Sequence, residues 1–157
     1  MAIEIERKFL VKEGWRPEGE PIHLRQGYLP LTGPILVRIR QQDNRAFLTL
    51  KGRTDGITRS EYEYEIPPQD AEELLMRCQK SIVEKARYLV TEGNYTWEVD
   101  VFSGANDGLI VAELELSSED EEFERPDWLA AEVSNDPRYY NANLAKHPFS
   151  EWRSDTD

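Results

Sequence analysis

Charged side chains occupy every second position in several short segments of this chain. In the first such segment, Glu4, Glu6 and Lys8 alternate with Ile5 and Arg7. Alternate residues of a β-strand project from the same face, so these three charges would share one surface. Carboxylates bind hard divalent cations, and lysine and arginine bind phosphate oxygens. The segment therefore carries groups that could bind a metal ion and a phosphate side by side.

The same spacing recurs along the chain. Further examples are Arg38/Arg40, Glu61/Glu63/Glu65, Lys85/Arg87, Glu98/Asp100 and Glu113/Glu115, and Lys51 follows Thr49 on one face of another segment. Side chains two residues apart on a strand are separated by about 6.7 Å. Two like charges at that distance repel by about 2.5 kcal/mol at an effective dielectric constant of about 20. Charged ligands would relieve this repulsion, so the pattern favours a binding site for ions.

A solvent-exposed polar face would explain the charges of any single strand equally well. The repetition favours a different arrangement, because the opposite faces are rich in Ile, Leu, Val, Trp and Tyr and need cover. If these apolar faces point outward under helices and loops, the charged faces converge on the interior of a closed barrel. We therefore expect an enclosed, charged interior that holds water or ligand.

Two sets of candidate ligands follow from the charges. The set predicted to bind substrate phosphates comprises Lys8, Arg38, Arg40, Lys51, Lys85 and Arg87. The set of oxygen ligands suited to Mg²⁺ or Mn²⁺ comprises Glu4, Glu6, Glu61, Glu63, Glu98, Asp100, Glu113 and Glu115. Together they predict that a metal-complexed polyphosphate is the ligand.

Turn residues divide most of the chain into strand-like segments. These segments are Ala2–Val11, His23–Pro30, Ile35–Gln42, Ala46–Gly52, Arg59–Ile66, Ile82–Thr91, Tyr95–Phe102 and Leu109–Ser117. Strands joined mainly by hairpins can close on themselves, which removes exposed sheet edges. We predict a mainly β (α+β) fold, an eight-stranded closed antiparallel β-barrel with a few helices packed outside and a C-terminal helix.

Helix signals interrupt the strands at three places. Apolar residues at helical spacing follow a proline pair and predict a helix over Gln69–Gln79. Pro126–Ala131 resembles a short helical turn, and Tyr139–Lys146 resembles a helix that ends before a proline. The last segment either closes one mouth of the barrel or packs outside it.

The ordered series of charged motifs resembles the CYTH superfamily, the triphosphate tunnel metalloenzymes, over essentially the whole chain. The matching stretches are Glu4-Ile5-Glu6-Arg7-Lys8-Phe9, Gln26-Gly27-Tyr28-Leu29, Arg38-Ile39-Arg40, Thr49-Leu50-Lys51-Gly52, Arg59-Ser60-Glu61-Tyr62-Glu63, Lys85-Ala86-Arg87, Trp97-Glu98-Val99-Asp100 and Ala112-Glu113-Leu114-Glu115. The first contains the ExExK signature. The chain is similar to the short, bacterial, single-domain type, which implies an eight-stranded tunnel and a metal-dependent triphosphatase.

The resemblance and the residues together predict hydrolysis of inorganic tripolyphosphate to pyrophosphate and phosphate. The predicted catalytic residues are Glu4, Glu6, Lys8, Lys85 and Glu115. The first metal is assigned to Glu4, Glu6 and Glu115 with Glu113, and the candidates for a second metal or for orienting the attacking water are Glu61, Glu63, Glu98 and Asp100. A class IV adenylate cyclase, a thiamine triphosphatase and a non-catalytic polyphosphate- or nucleotide-binding module stay open as alternatives.

Composition limits the other classes of function. The formal net charge of −12 argues against nucleic acid and anionic membranes as partners. No segment approaches membrane-spanning length, and the single cysteine excludes an intrachain disulfide. We expect one domain over residues 1–157, a cytoplasmic location and a small-molecule substrate, and a homodimer is left open.

Overall fold

The computed structural model describes residues 3–78 and 82–152, except for the side chains of residues 53 and 54. About half of the described residues lie in β-strands. The strands are β1 (Ile3–Val11), β2 (Ile22–Tyr28), β3 (Leu36–Gln42), β4 (Arg45–Asp55), β5 (Thr58–Ile66), β6 (Ile82–Glu92), β7 (Tyr95–Phe102), β8 (Ile110–Glu115) and β9 (Leu129–Glu132).

The first eight strands form a closed antiparallel barrel. Their order around the sheet is β5-β4-β3-β2-β6-β7-β8-β1, and pairing of β5 with β1 closes the ring. The predicted eight-stranded barrel is therefore confirmed. Closure gives every barrel strand a paired neighbour on both sides, although β1 and β5 pair only at Ile3–Ile5, and it fixes which side chains point inward. Glu6 lies opposite Glu115, and Lys8 lies opposite Glu113, across the β1–β8 ladder.

A ninth strand was not predicted. The predicted helical turn at Pro126–Ala131 is wrong, because Leu129–Glu132 forms β9 and pairs antiparallel with β1. The first residues of β1, Ile3–Ile5, pair with β5, which leaves the later part of the same strand edge without a partner from the barrel. β9 pairs with that part, so its conformation is set by an edge that lies far away in the sequence.

Two α-helices accompany the strands in the described residues. α1 (Pro68–Met76) begins with proline at its first position and ends before the predicted Gln79, which lies outside the described residues. The predicted C-terminal helix is split into a 3-10 turn at Pro137–Tyr139 and α2 (Asn141–Lys146). Further 3-10 turns lie at Gly104–Asn106 and Phe149–Glu151. Within the described ranges, no helix has the length and apolarity needed to cross a membrane.

The apolar faces of the strands point away from the barrel interior. On one side, Ala71 and Leu75 of α1 pack against Ile39 and Ala46 of the sheet. On another, Trp97 and Phe9 are fully buried beneath Phe123, with ring centroids 5.6–6.0 Å apart in edge-to-face geometry. The external cover removes apolar surface from water. The interior face carries the charged residues, except at the end where Val83, Phe102 and Val111 cluster with Leu144.

Gly27 permits close packing on the outer face of β2. A Cβ atom added at Gly27 would lie 2.7 Å from Cys78 Cβ and 2.8 Å from Ile82 Cδ1. We expect Gly27→Ala to lower the free energy of unfolding by about 1–3 kcal/mol through overpacking, measured by urea denaturation. Gly52→Ala is the comparison, because its Cβ would approach Ser60 Cβ at 3.1 Å and should cost less. Equal stability of Gly27→Ala and the wild type would contradict this account.

Candidate active site

The barrel encloses a cavity of about 520 Å³. All predicted site residues except Lys85 and Asp100 line this cavity. The lining also includes Tyr28, Gln42 and Arg59 from the strands, and Ser134, Tyr140, Asn141, Asn143 and Lys146 from the C-terminal part of the chain. The alternating charges of β1, β3, β4, β5, β6, β7 and β8 therefore meet on one surface.

One group of ion pairs crosses the wall formed by β1 and β8. Lys8 Nζ donates a hydrogen bond of 2.9 Å to Glu113 Oε1, and it lies 3.7 Å from Glu6 Oε1. Burial opposes ionisation of Glu113, but Lys8, Lys85 and Arg87 outweigh burial and hold the pKa of Glu113 well below its ordinary value. Glu113 is therefore ionised in the absence of any bound cation.

Lys85 and Asp100 lie beneath the cavity wall. Their side chains are fully buried, with Lys85 Nζ 2.7 Å from Asp100 Oδ2. Arg87 donates to both oxygens of Asp100, from Nε at 2.8 Å and from Nη2 at 3.0 Å. Burial lowers the pKa of Lys85 to about 8, against the opposing effect of Asp100. Asp100 thus neutralises two cations, and the structure does not bring it to the surface of the cavity.

Arg38 is held by the neighbouring strands β4 and β5. Its Nη2 donates to Thr49 Oγ1 at 3.1 Å and to Glu63 Oε2 at 3.3 Å, and Thr49 Oγ1 donates to the same carboxylate oxygen at 3.1 Å. Arg38 Nε is buried and makes no hydrogen bond. A buried donor of this kind without a partner is costly, and a ligand oxygen in the cavity would satisfy it.

Acidic side chains converge at two places on the wall. Carboxylate oxygens of Glu6, Glu98 and Glu113 lie within 4.8 Å of one another. Lys51 Nζ lies 3.4 Å from Glu4 Oε2 and 3.6 Å from Glu61 Oε2, yet these two buried oxygens make no hydrogen bond. The orphaned oxygens and the all-oxygen donor set fit a hard divalent cation.

The carboxylates differ in their tendency to ionise. Burial and the neighbouring Glu113 raise the pKa of Glu6 well above its ordinary value, and burial raises that of Glu98 to about 7 despite Arg87. Burial and the neighbouring Glu61 carboxylate raise the pKa of Glu4, against the opposing effect of Lys51. Each of these shifts favours the protonated acid until a cation binds, so metal binding should release protons.

Stability without metal is expected to fall as the pH rises from about 5 to about 7. The folded chain keeps a proton on Glu98 up to about pH 7, whereas the unfolded chain releases it near the ordinary pKa of 4.5. The stabilisation is therefore present at low pH and is lost through this window. Thermal unfolding of the metal-free protein measures it, and Glu98→Gln should flatten the dependence. A wild-type profile that rises over this range would contradict the assignment.

The C-terminal segment contributes to the cavity. Tyr140, Asn141 and Lys146 lie on the cavity wall, and Lys85 Nζ donates to Asn141 Oδ1 at 3.0 Å. Leu144 and Ala145 of the same helix are buried in an apolar cluster. Of the two arrangements predicted for this segment, the structure therefore favours the one in which it forms part of the enclosure.

The structure groups the acidic residues differently from the sequence-based assignment. Glu98, a predicted candidate for the second metal, lies with Glu6 and Glu113. Glu115 lines a more exposed part of the wall, where burial and Glu4 raise its pKa. The polar residues Gln26, Thr49 and Asn141 are not among the predicted site residues, because isolated polar positions in the sequence give little signal.

The chain belongs to the CYTH domain family, whose model matches residues 2–147. It is 43% identical over 155 residues to an inorganic triphosphatase from Acetivibrio thermocellus, covering 98% of this chain and 99% of the relative. It is 42% identical over 149 residues to an inorganic triphosphatase from Nitrosomonas europaea, covering 90% and 96%. A solved structure of an inorganic triphosphatase is 40% identical, with a TM-score of 0.67 over 90% of this chain and 96% of that one.

Proposed function

We propose that this protein hydrolyses inorganic tripolyphosphate to pyrophosphate and phosphate in the barrel cavity, with Mg²⁺ or Mn²⁺. The observation that carries the proposal is the convergence of both charge signs on one cavity of about 520 Å³. Strong similarity to two inorganic triphosphatases over nearly the full chain supports it. A linear polyphosphate complexed with a divalent cation matches an enclosure that presents both cationic and carboxylate side chains.

The cations bind the substrate and stabilise the charge that develops on its departing end. We assign this role to Lys8, Arg38, Arg40, Lys51 and Arg87 on the wall. Guanidinium groups can donate two parallel hydrogen bonds to a phosphate, which fixes its orientation as well as its position. Lys85 and Asp100 support these groups from beneath, because Asp100 holds Arg87 and Lys85 in fixed positions.

The carboxylates hold the metal. Glu6, Glu98 and Glu113 form one candidate ligand set, and Glu4, Glu61 and Glu115 lie on the wall as further candidates, with Glu63 beside Arg38. When bound, a divalent metal neutralises phosphate charge and lowers the pKa of a water molecule. The described side chains orient the substrate, and direct attack by water on phosphorus needs no covalent intermediate.

The wall chemistry favours a substrate without an organic group. Its described lining is dominated by charged and amide side chains, and its aromatic members are Tyr28 and Tyr140. Recognition of a nucleobase or a thiazole ring normally uses apolar and aromatic surface. Inorganic tripolyphosphate is therefore preferred over ATP and thiamine triphosphate. The cytoplasmic location stays a prediction, and a homodimer stays open.

A substrate screen tests the proposal. Tripolyphosphate, ATP and thiamine triphosphate are each incubated with Mg²⁺ or Mn²⁺, and phosphate, pyrophosphate and cyclic AMP are quantified. We expect equal amounts of phosphate and pyrophosphate from tripolyphosphate, and no turnover after chelation of the metal. Cyclic AMP as the main product would identify a cyclase. Tight tripolyphosphate binding without phosphate release would identify a binding module.

A further inference from the structure

Arg40 differs from the other buried cations of the barrel. Lys8, Arg38, Lys51, Lys85 and Arg87 each lie within 3.4 Å of a carboxylate oxygen. Arg40 is 8% exposed, and in the described part of the chain no carboxylate oxygen lies within 4.0 Å of its guanidinium. Burying a cation without a counter-ion is costly, so a feature of the fold must hold it in place.

Gln26 is the residue that contacts Arg40. The two lie opposite each other across the β2–β3 ladder, and Arg40 Nε donates to Gln26 Oε1 at 2.8 Å. The Gln26 amide nitrogen donates to the Tyr28 hydroxyl at 3.3 Å, and Tyr28 lines the cavity opposite Arg38. Gln26 itself is 0% exposed and is not part of the cavity wall. Gln26 therefore links the cavity-lining residues Arg40 and Tyr28 through hydrogen bonds made beneath the cavity surface.

The neutrality of this acceptor has an electrostatic consequence. A glutamine oxygen orients a guanidinium as a carboxylate would, but it leaves the full positive charge uncompensated. Burial, Arg38 and Arg87 together lower the pKa of Arg40 to about 9, against the opposing effects of Asp100 and Tyr28. An anion bound in the cavity would supply the compensating negative charge, and the unpartnered Nε of the adjacent Arg38 would meet the same anion.

We propose that Gln26 is a positioning residue that orients Arg40 toward the cavity without neutralising it, so that the guanidinium is available to a phosphate group of the substrate. The inference rests on the proposed function for the identity of that substrate. It extends the proposed function by assigning a role to a residue that touches neither substrate nor metal. Glutamate at this position would fit the same space and accept the same hydrogen bond, but it would neutralise the cation.

Gln26→Glu separates this role from a purely structural one. The substitution changes charge with almost no change in volume, and the new carboxylate would pair with Arg40. We expect KM for tripolyphosphate to rise about tenfold to a hundredfold, while the thermal stability of the metal-free protein stays equal or increases. If Gln26 served packing alone, Gln26→Glu would lower the thermal stability, and KM would rise only as a consequence of that loss. Unchanged KM in a stable Gln26→Glu protein would overturn the proposal.

Gln26→Met is the second variant, because it removes the acceptor while it keeps position 26 neutral and of similar size. We expect lower stability than in the wild type and a smaller rise in KM than in Gln26→Glu. An equal rise in KM for both variants would show that charge is not the cause. Calorimetric binding of tripolyphosphate to each protein keeps this test separate from turnover. Absence of hydrolysis by the wild type would end the proposed function, whereas equal affinity of wild type and Gln26→Glu would end this inference.

Discussion

Glu6→Gln is expected to lower kcat for tripolyphosphate about a hundredfold to a thousandfold. Glu6 lies with Glu98 and Glu113 in a cluster of carboxylate oxygens within 4.8 Å of one another. The amide removes one negative charge and one anionic ligand while it preserves the shape of the side chain. Steady-state kinetics over a range of Mn²⁺ concentrations should show a higher metal requirement together with the lower kcat.

The control for Glu6→Gln is Glu65→Gln. Glu65 continues the alternating acidic series of β5, but it pairs with the exposed Arg45 and does not line the cavity. We expect Glu65→Gln to keep wild-type kinetics. Similar losses in both variants would point to a general effect of charge, and full activity of Glu6→Gln would contradict the metal assignment.

Asp100→Asn is expected to lower the free energy of unfolding by about 3–5 kcal/mol. Asp100 is fully buried and neutralises both Lys85 and Arg87, whose nitrogens lie 2.7 Å and 2.8 Å from its oxygens. The amide would leave the buried Lys85 without its counter-ion and Arg87 with only Glu98 and Glu113, and it would present hydrogen atoms where both cations need an acceptor. Urea denaturation of the metal-free protein measures the loss.

Asp136→Asn is the matched control for Asp100→Asn. Asp136 also pairs with an arginine at 2.7 Å, but Arg138 is exposed and water can replace the contact. We expect this change to cost no more than about 1 kcal/mol. Equal losses in the free energy of unfolding for the two variants would contradict the conclusion that the buried ion pair of Asp100 with Lys85 stabilises the site.

The sequence predicted the charged wall because strand periodicity is a local property. Alternation at spacing two determines which residues share a face, and the apolar content of the opposite face indicates which side is covered. Glu4, Arg38 and Glu113 could therefore be assigned to one interior from their spacing and neighbours alone. Their convergence on the cavity confirms that inference.

Other features depend on contacts that the local pattern does not encode. Lys85 and Asp100 follow the same alternation as their neighbours. Their side chains are nevertheless covered by α2 and the adjacent strands, so neither lines the cavity. β9 is four residues long, and its conformation follows from an unpaired edge of β1. Gln26 is an uncharged polar residue on β2, and only its contacts with Arg40 and Tyr28 give it a role.

The most direct test is a crystal structure of the protein soaked with tripolyphosphate and Mn²⁺, with the metal located by anomalous scattering. We predict phosphate oxygens within hydrogen-bonding distance of Arg38 and Arg40, and Mn²⁺ bound by the cluster of Glu6, Glu98 and Glu113. Tripolyphosphate and Mn²⁺ bound only outside the barrel at saturating concentration would contradict the central claim that the charged cavity is the site of the reaction.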